Sequence, residues 1–187
     1  MKQSTQQPTV MIMAGGTGGH VFPGLAVAYG LQKRGFNICW LGTPQGIESK
    51  LIPATGIPLE CITVSGLRGK GWQGLFAAPW KLLRAVQQAL SIVRQAQPCA
   101  VLGMGGFAAG PGGVAARLLN KPLIIHEQNA ISGYTNRALA YFAKRVLMSF
   151  PNTFAPHYKP ILTGNPLREE FFTIPTPEER FATRTGR

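Results

Sequence analysis

The residues able to do chemistry gather in three short stretches. In "AGGTGGHVFPG", His20 follows Gly15, Gly16, Thr17, Gly18 and Gly19, directly after the apolar run "TVMIMA". Glycines there let the backbone turn tightly and approach a ligand with no Cβ in the way. A helix starting behind them aims free amides and its positive dipole end outward. That is a cradle for an anion or a polar ligand. Thr17 and His20 can project into the same cleft, where a neutral imidazole suits a general base for a hydroxyl nucleophile. A histidine that merely caps or packs against the helix start fits the same residues.

The second stretch, "GMGGFAAGPGG", follows "AVL" and builds another amide cradle, with Pro111 positioned to begin a helix. Glycines that only permit close helix packing are the competing reading. The third, "HEQNAISGYTNR", follows "PLII" and puts His126, Glu127, Gln128 and Asn129 just after a buried strand. Glu127 there can orient a catalytic histidine or hydrogen-bond a sugar hydroxyl. It can equally be a structural carboxylate that satisfies loop amides.

Such groups work only if a scaffold brings them together. Strand patterns occur at "TVMIMA", "NICWLG", "LECITV", "AVLGMG", "PLIIHEQ", "RVLMSF" and "PILTGN", and helical patterns near 22–34, 46–55, 79–97, 111–119, 133–144 and 167–173. This alternation predicts an α/β fold, a doubly wound parallel sheet, with several strands apolar on both faces because helices cover both sides. In such a sheet ligands bind at the carboxyl ends of the strands, where all three stretches lie. A short tail over 1–8, a Rossmann-like domain over 9–173 and the start of a linker over 174–187 are expected. "TIPTPEERFATRTGR" is polar and proline-containing.

Composition narrows the function. With 187 residues and 45% hydrophobic content the chain can bury a full core. Nineteen Lys and Arg against seven acidic residues give a net charge of +12. An anionic partner is therefore expected, and a membrane surface or a phosphorylated substrate fits best. The basic residues are scattered and no nucleic-acid motif is present, so no nucleic acid is expected. There is no aspartate, hence no Asp-x-Asp pair to hold a divalent metal against a diphosphate; neither metal nor cofactor is expected. NAD is disfavoured because the first glycine loop has the wrong spacing and no acidic residue closes "NICWLG". Cys39, Cys61 and Cys99 stand singly and read as reduced core thiols. No run approaches the ~20 apolar residues of a membrane span and no signal-peptide region opens the chain, so it is expected in the cytosol.

The helical stretch "GLFAAPWKLLRAVQQALSIVRQ" carries two apolar strips. Leu82, Val86, Ala89 and Val93 share a face for the sheet. Phe76, Trp80, Leu83 and Leu90 form a second strip beside Lys81, Arg84 and Arg94, with Arg68 and Lys70 in the preceding loop. Interleaved aromatic and basic residues suit a surface resting on anionic lipid headgroups. A helix buried on two sides is the alternative.

Five blocks, "AGGTGGHVFPGLAVA", "SGLRGKG", "GMGGFAAGPGG", "HEQNAISGYTNR" and "TGNPLR", run in this order from Val10 to Arg168. Together they closely resemble the MurG family of bacterial glycosyltransferases. The resemblance implies one half of a GT-B fold, with two Rossmann-like halves facing across a cleft and no required metal. It implies inverting transfer of N-acetylglucosamine from UDP-N-acetylglucosamine to lipid I, at the cytoplasmic face of the bacterial inner membrane, as a peripheral protein. It makes His20 the candidate base, with Glu127 as its assistant or as an acceptor contact. Thr17, Gly18, Gly19, Asn129 and Arg168 are similar to donor-contacting positions. Gly15, Gly16, Gly105, Gly106, Phe107 and Asn136 lie in motifs that line the acceptor side. The family needs a second, donor-binding half with a third glycine loop, which this chain lacks. Alone it is expected to be inactive or nearly so, completed by a C-terminal donor domain or by a separate chain. A non-catalytic, membrane-associated subunit that binds a lipid diphosphate and recruits a donor-binding chain is the alternative.

Overall fold

Alternation of buried residues along the strands builds two cores on one sheet. In the computed structural model, which describes residues 7–64 and 72–176 together with 178 and 180, the strands are β1 (Thr9–Ala14), β2 (Asn37–Gly42), β3 (Leu59–Cys61), β4 (Ala100–Gly105), β5 (Leu123–Glu127), β6 (Arg145–Met148) and β7 (Ile161–Leu162). They form a seven-stranded sheet in the order β3-β2-β1-β4-β5-β6-β7, with parallel pairing throughout. Successive side chains of a strand point to opposite faces. Val10, Ile12 and Ala14 of β1 therefore join Trp40 and Met104 under helix α1 (Gly18–Gln32), while Met11 and Met13 join Val101 and Ile125 on the other face. There α3 (Trp72–Ala96), α4 (Ala109–Leu118) and α5 (Tyr134–Ala140) cover the sheet through Ala85, Ala89, Val93, Ala115, Ala116 and Leu139. This is the expected doubly wound parallel sheet, Rossmann-like in form.

The strand order reverses between β1 and β4, whose following helices leave on opposite faces. That reversal opens a crevice at the carboxyl edge. The pairing of β1 with β4 also shifts register, from Met13 opposite Gly103 to Ala14 opposite Gly105. The extra residue is accommodated by Gly105 at φ +109°, a value that disfavours any side chain.

Small residues bring the helices close to the sheet. A Cβ on Gly112 would run into Met13 and Leu41, and one on Gly113 into Leu139. Gly24 of α1 sits against the ring of Trp40 in the same way. For Gly112 and Gly113 the packing reading is therefore the right one.

Several boundaries differ from the sequence expectation. The helix expected over 46–55 is split into α2 (Glu48–Leu51) and a 3-10 turn at Pro53–Thr55, because Pro53 has no N–H to continue the ladder. The edge segments "LECITV" and "PILTGN" pair only over Leu59–Cys61 and Ile161–Leu162. The helix expected at 133–144 stops at Ala140, since the Lys144 amide turns to the Leu123 carbonyl at 2.7 Å as β6 begins. Residues 167–173 form only a 3-10 turn, Glu169–Thr173. Helix α3 starts earlier than expected, at Trp72, and runs through Pro79. Its core face uses Ala85, not Leu82, which is 54% exposed. Cys39 is buried, and burial pushes its thiol up to about 11. Cys61 and Cys99 are exposed, contrary to their reading as core thiols, because each lies at a strand border on the sheet's rim. Arg68, Lys70 and the "SGLRGKG" block lie outside the described residues, as does the side chain of Phe76.

Candidate active site

Two glycine loops meet backbone to backbone at the crevice. Gly16 (φ +87°) turns the chain out of β1, and Gly105 (φ +109°) and Gly106 (φ +86°) turn it out of β4. A Cβ on Gly106 would collide with the carbonyl oxygen of Gly15, and one on Gly105 would sit 2.8 Å from Cδ2 and Nε2 of His20. Here glycine serves both conformation and close approach. The first loop thus rests on the second, and the Cδ2–Nε2 edge of the His20 imidazole faces the bare backbone of Gly105.

His20 is the third residue of α1 and is half-buried. Thr17, which precedes the helix, makes no side-chain cap. Its Oγ1 stands 3.2 Å from His20 Nδ1. A threonine in this position ordinarily spends its oxygen on a helix amide, worth about 1 kcal/mol. Here it is spent on the imidazole. With Nδ1–H donating to Thr17, the Nε2 lone pair faces Gly105 and the cavity beyond. The helix start leaves the amides of Gly18 and Gly19 without intrahelical partners, as every helix N-terminus does, and the start of α4 behind Phe107 does the same.

The cavity has a volume of about 980 Å³. His20, Gly105 and Gly106 line it on one side, and Ala78, Pro79, Lys81 and Leu82 of α3 on another. Phe107, Pro111, Gly133 to Asn136 and Glu127 also line it. Its lining is mainly apolar, with a few polar side chains from α1, α3, β5 and α5, a composition typical of a ligand site.

Glu127 ends β5 and is 1% exposed. Its Oε1 accepts from the Asn129 amide at 3.1 Å and from Asn129 Nδ2 at 2.8 Å; its Oε2 accepts from the Gly133 amide at 3.0 Å and from Asn136 Nδ2 at 3.0 Å. Four donors converge on one carboxylate, so its first task is to shape the 129–136 loop. Among the described residues it shares no hydrogen bond with His20. Asn136 is 1% exposed, and Nδ2 also donates to the His126 carbonyl at 3.1 Å while Oδ1 has no partner. Asn129 is exposed.

His126 points the other way along the sheet edge. It is 3% exposed; Nε2 is 3.1 Å from the Gly164 carbonyl and Nδ1 is 2.9 Å from Gln128 Nε2. Desolvation lowers its pKa below 6.5. The neutral ring, donating from Nε2 and accepting at Nδ1, fits both neighbours.

Sequence reasoning missed a second buried carboxylate. Glu48, the first residue of α2, is 0% exposed. Its Oε2 accepts from the Gly16 amide at 3.0 Å, and its Oε1 accepts from the Thr43 amide at 2.9 Å and from Thr43 Oγ1 at 2.8 Å. Gly15, Gly42 and Gly46 enclose it so closely that a Cβ on any of them would strike the side chain. The available signal was the glycine pair Gly42 and Gly46 flanking "TPQ", a spacing that leaves room for something buried.

Of the remaining candidates, Lys81 lines the cavity, while Trp80 (75% exposed) and Leu83 (47%) stand on the outer face of α3 with Arg84. Leu90 packs on the core instead. Arg168 does not line the cavity; its guanidinium is 5.2 Å from the Phe22 ring, which abuts Gly18, and 5.3 Å from the Phe171 ring. No cluster of three or more His, Cys, Asp or Glu able to hold a metal occurs among the described residues.

A parallel sheet layered by helices, with two amide cradles and an imidazole at its switch point, defines a Rossmann-like ligand-binding half. The N-terminal-domain description of glycosyltransferase family 28 matches residues 10–148. The chain belongs to that family, as the five sequence blocks implied. It is 54% identical over 182 residues to the Mannheimia succiniciproducens UDP-N-acetylglucosamine--N-acetylmuramyl-(pentapeptide) pyrophosphoryl-undecaprenol N-acetylglucosamine transferase, covering 97% of this chain and 50% of the relative. A Histophilus somni protein of the same name is 56% identical, over 96% of this chain and 49% of the relative. The chain thus spans about half the length of the curated relatives it matches. The crystal structure of Acinetobacter baumannii MurG superposes with a TM-score of 0.75 at 46% identity, covering 87% of this chain and 46% of that one. A Neisseria meningitidis UDP-GlcNAc 2-epimerase, at a TM-score of 0.63 and 14% identity over 95% of this chain and 51% of that one, shares the fold alone.

Proposed function

We propose that this chain is the acceptor-side half of an inverting glycosyltransferase that moves N-acetylglucosamine from UDP-N-acetylglucosamine to lipid I, yielding lipid II. The observation that carries the reading is the imidazole of His20, held between two glycine loops at the end of the large apolar cavity. In this reading residues 9–173 are the acceptor domain, preceded by a tail over 1–8 and followed by a linker from 174.

The amides of the two loops receive the acceptor diphosphate, which needs no metal where helix N-termini and bare backbone supply the positive field. Gly15, Gly16, Gly105, Gly106 and Phe107 belong to that cradle, and Asn136 borders the sugar. Thr17 accepts from His20 Nδ1–H, leaving Nε2 to take the proton of the muramoyl C4 hydroxyl. The hydroxyl oxygen then attacks the anomeric carbon from the side opposite the UDP leaving group; the bond to UDP breaks, and an α-linked donor gives a β-linkage. Glu127 assists by fixing the Asn129 to Asn136 loop beside the acceptor. Thr17, Gly18, Gly19, Asn129 and Arg168 face the donor, which a second half of the enzyme must hold.

The same reading assigns Trp80 and Leu83, with Lys81, Arg84 and Phe76, to the anionic lipid surface at the cytoplasmic face of the inner membrane. The exposure of Trp80, Lys81, Leu83 and Arg84 supports it, since a tryptophan that is 75% exposed has no core to fill. No described helix is long and apolar enough to cross a membrane.

The test is a transferase assay with lipid I analogue and labelled UDP-N-acetylglucosamine, with and without a separately expressed donor half from a relative. Activity only on mixing, reduced by about a hundredfold or more in His20→Ala, is the expected result. Turnover by the chain alone would overturn the two-half reading. Acceptor binding with no turnover in any mixture would make the chain a non-catalytic lipid-diphosphate-binding subunit.

A further inference from the structure

We propose that Glu48 is a positioning residue for the cradle: through the Gly16 amide it fixes the first glycine loop, and through that loop the seat of His20. The inference rests on the functional reading of His20 and the glycine loops given above.

Three observations converge on it. Glu48 is one of only seven acidic residues in the chain, and among the described ones it is, with Glu127, one of two that are almost fully buried. An ionised carboxylate is not taken out of water without partners, and the described partners of Glu48 are two backbone amides and one hydroxyl. Among those described partners there is no cation. The geometry is also directional. Oε1 is committed to Thr43 on β2's exit, whereas Oε2 reaches across to Gly16, so the side chain ties one strand end to the neighbouring loop. Finally, the loop it holds is interlocked with the site. Gly15 abuts Gly106, and Gly105 abuts His20, so a shift of Gly15 and Gly16 cannot leave the imidazole or the second cradle where they were.

The carboxylate is needed because its two oxygens face donors on both sides. Glu48→Gln keeps size and shape but offers one acceptor. If its oxygen stays with Thr43, the amide NH₂ confronts the Gly16 N–H, donor against donor, and the loop must move. Thr43→Val removes only the hydroxyl's hydrogen bond on the other oxygen. That variant costs stability and leaves the Gly16 bond in place, so it serves as the structural control.

The experiment reads both variants in the purified chain by the ring proton resonances of its three histidines and by titration with inorganic pyrophosphate. In Glu48→Gln the His20 ring signals should shift and pyrophosphate should bind about tenfold more weakly, the loss typical of one hydrogen bond to a charged group. His126 and His157 should stay put. Thr43→Val should lower the melting temperature with His20 and pyrophosphate binding unchanged. If Glu48→Gln lowers the melting temperature but leaves the His20 signals at their wild-type positions, Glu48 is merely structural and the proposal is wrong. If the wild-type chain fails to bind pyrophosphate, the cradle reading fails instead, and the His20 signals alone decide the role of Glu48.

Discussion

Glu48 holds the first glycine loop and Glu127 the 129–136 loop, and they do so with different kinds of partner. Glu48 is gripped by two backbone amides and a hydroxyl, inside a shell of three glycines that admits no other side chain. Glu127 accepts from two backbone amides and two carboxamides, within a loop that carries the exposed Asn129. The first arrangement fixes a strand end against its neighbour; the second shapes a loop that still presents amide groups to the cleft. One fold therefore uses the same chemical group once as a cross-strand brace and once as the hub of a surface loop. The brace lies under the first glycine loop, and the hub lies within the 129–136 loop.

The largest expected effect separates the two directly. Glu127→Ala removes the acceptor of four donors, and at ~1 kcal/mol apiece it should cost ~4 kcal/mol in urea unfolding. Glu48→Ala strands three, of which Thr43 Oγ1 can turn to another acceptor, so its cost should be smaller by ~1 kcal/mol. An equal or larger loss at Glu48 would mean that the brace, not the hub, is the main structural support of this edge. Next in size is Gly106→Ala, which joins the two loops' fates. A positive φ costs an alanine ~1–2 kcal/mol, and the new Cβ drives against the Gly15 carbonyl. We expect ~2–3 kcal/mol of lost stability by the same measurement, together with weakened pyrophosphate binding. Near-wild-type behaviour would show that the loops move independently.

How far the site was legible follows from where its residues sit in local patterns. β1, β2 and β4 match their sequence segments residue for residue, because each is an interior strand, apolar on both faces and followed by a glycine or a threonine. β3 and β7 shrank at the sheet's borders, where only one neighbour supports pairing. Glu127 stood out because it closes a buried strand. Glu48 did not, since a glutamate in the first turn of a short helix is also what dipole complementarity places on the surface. Its burial depends on Gly15, Gly42 and Gly46 meeting from two different strand ends, a contact no single window contains. Likewise, nothing local separates Gly105 and Gly106, which turn the chain, from Gly112 and Gly113, which admit neighbouring side chains. Only the sheet registers them.

The smallest expected effect tests the far end of the Glu127 region. His126 is neutral because burial outweighs both the Gly164 carbonyl and the nearby Glu127 charge, which favour the proton. Its folded pKa lies below the unfolded value of 6.5, so between the two the unfolded chain binds more protons. Stability contributed by the neutral ring is complete above about pH 6.5 and is lost as pH falls through the folded pKa. Protonation would also set Nδ1–H against the Gln128 NH₂, so the 2.9 Å contact must open. Unfolding free energies measured between pH 7.5 and about 5.5 should decline with acid in the wild type. In His126→Asn the starting value should be lower, and the decline shallower by up to ~1 kcal/mol across the range. Equal slopes would assign the acid sensitivity to other groups and leave the histidine as a packing element. A shallower slope in the variant would make His126 the acid-sensitive tie between β5 and the Gly164 turn, the pH-dependent counterpart to the glutamate brace on the other side of the sheet.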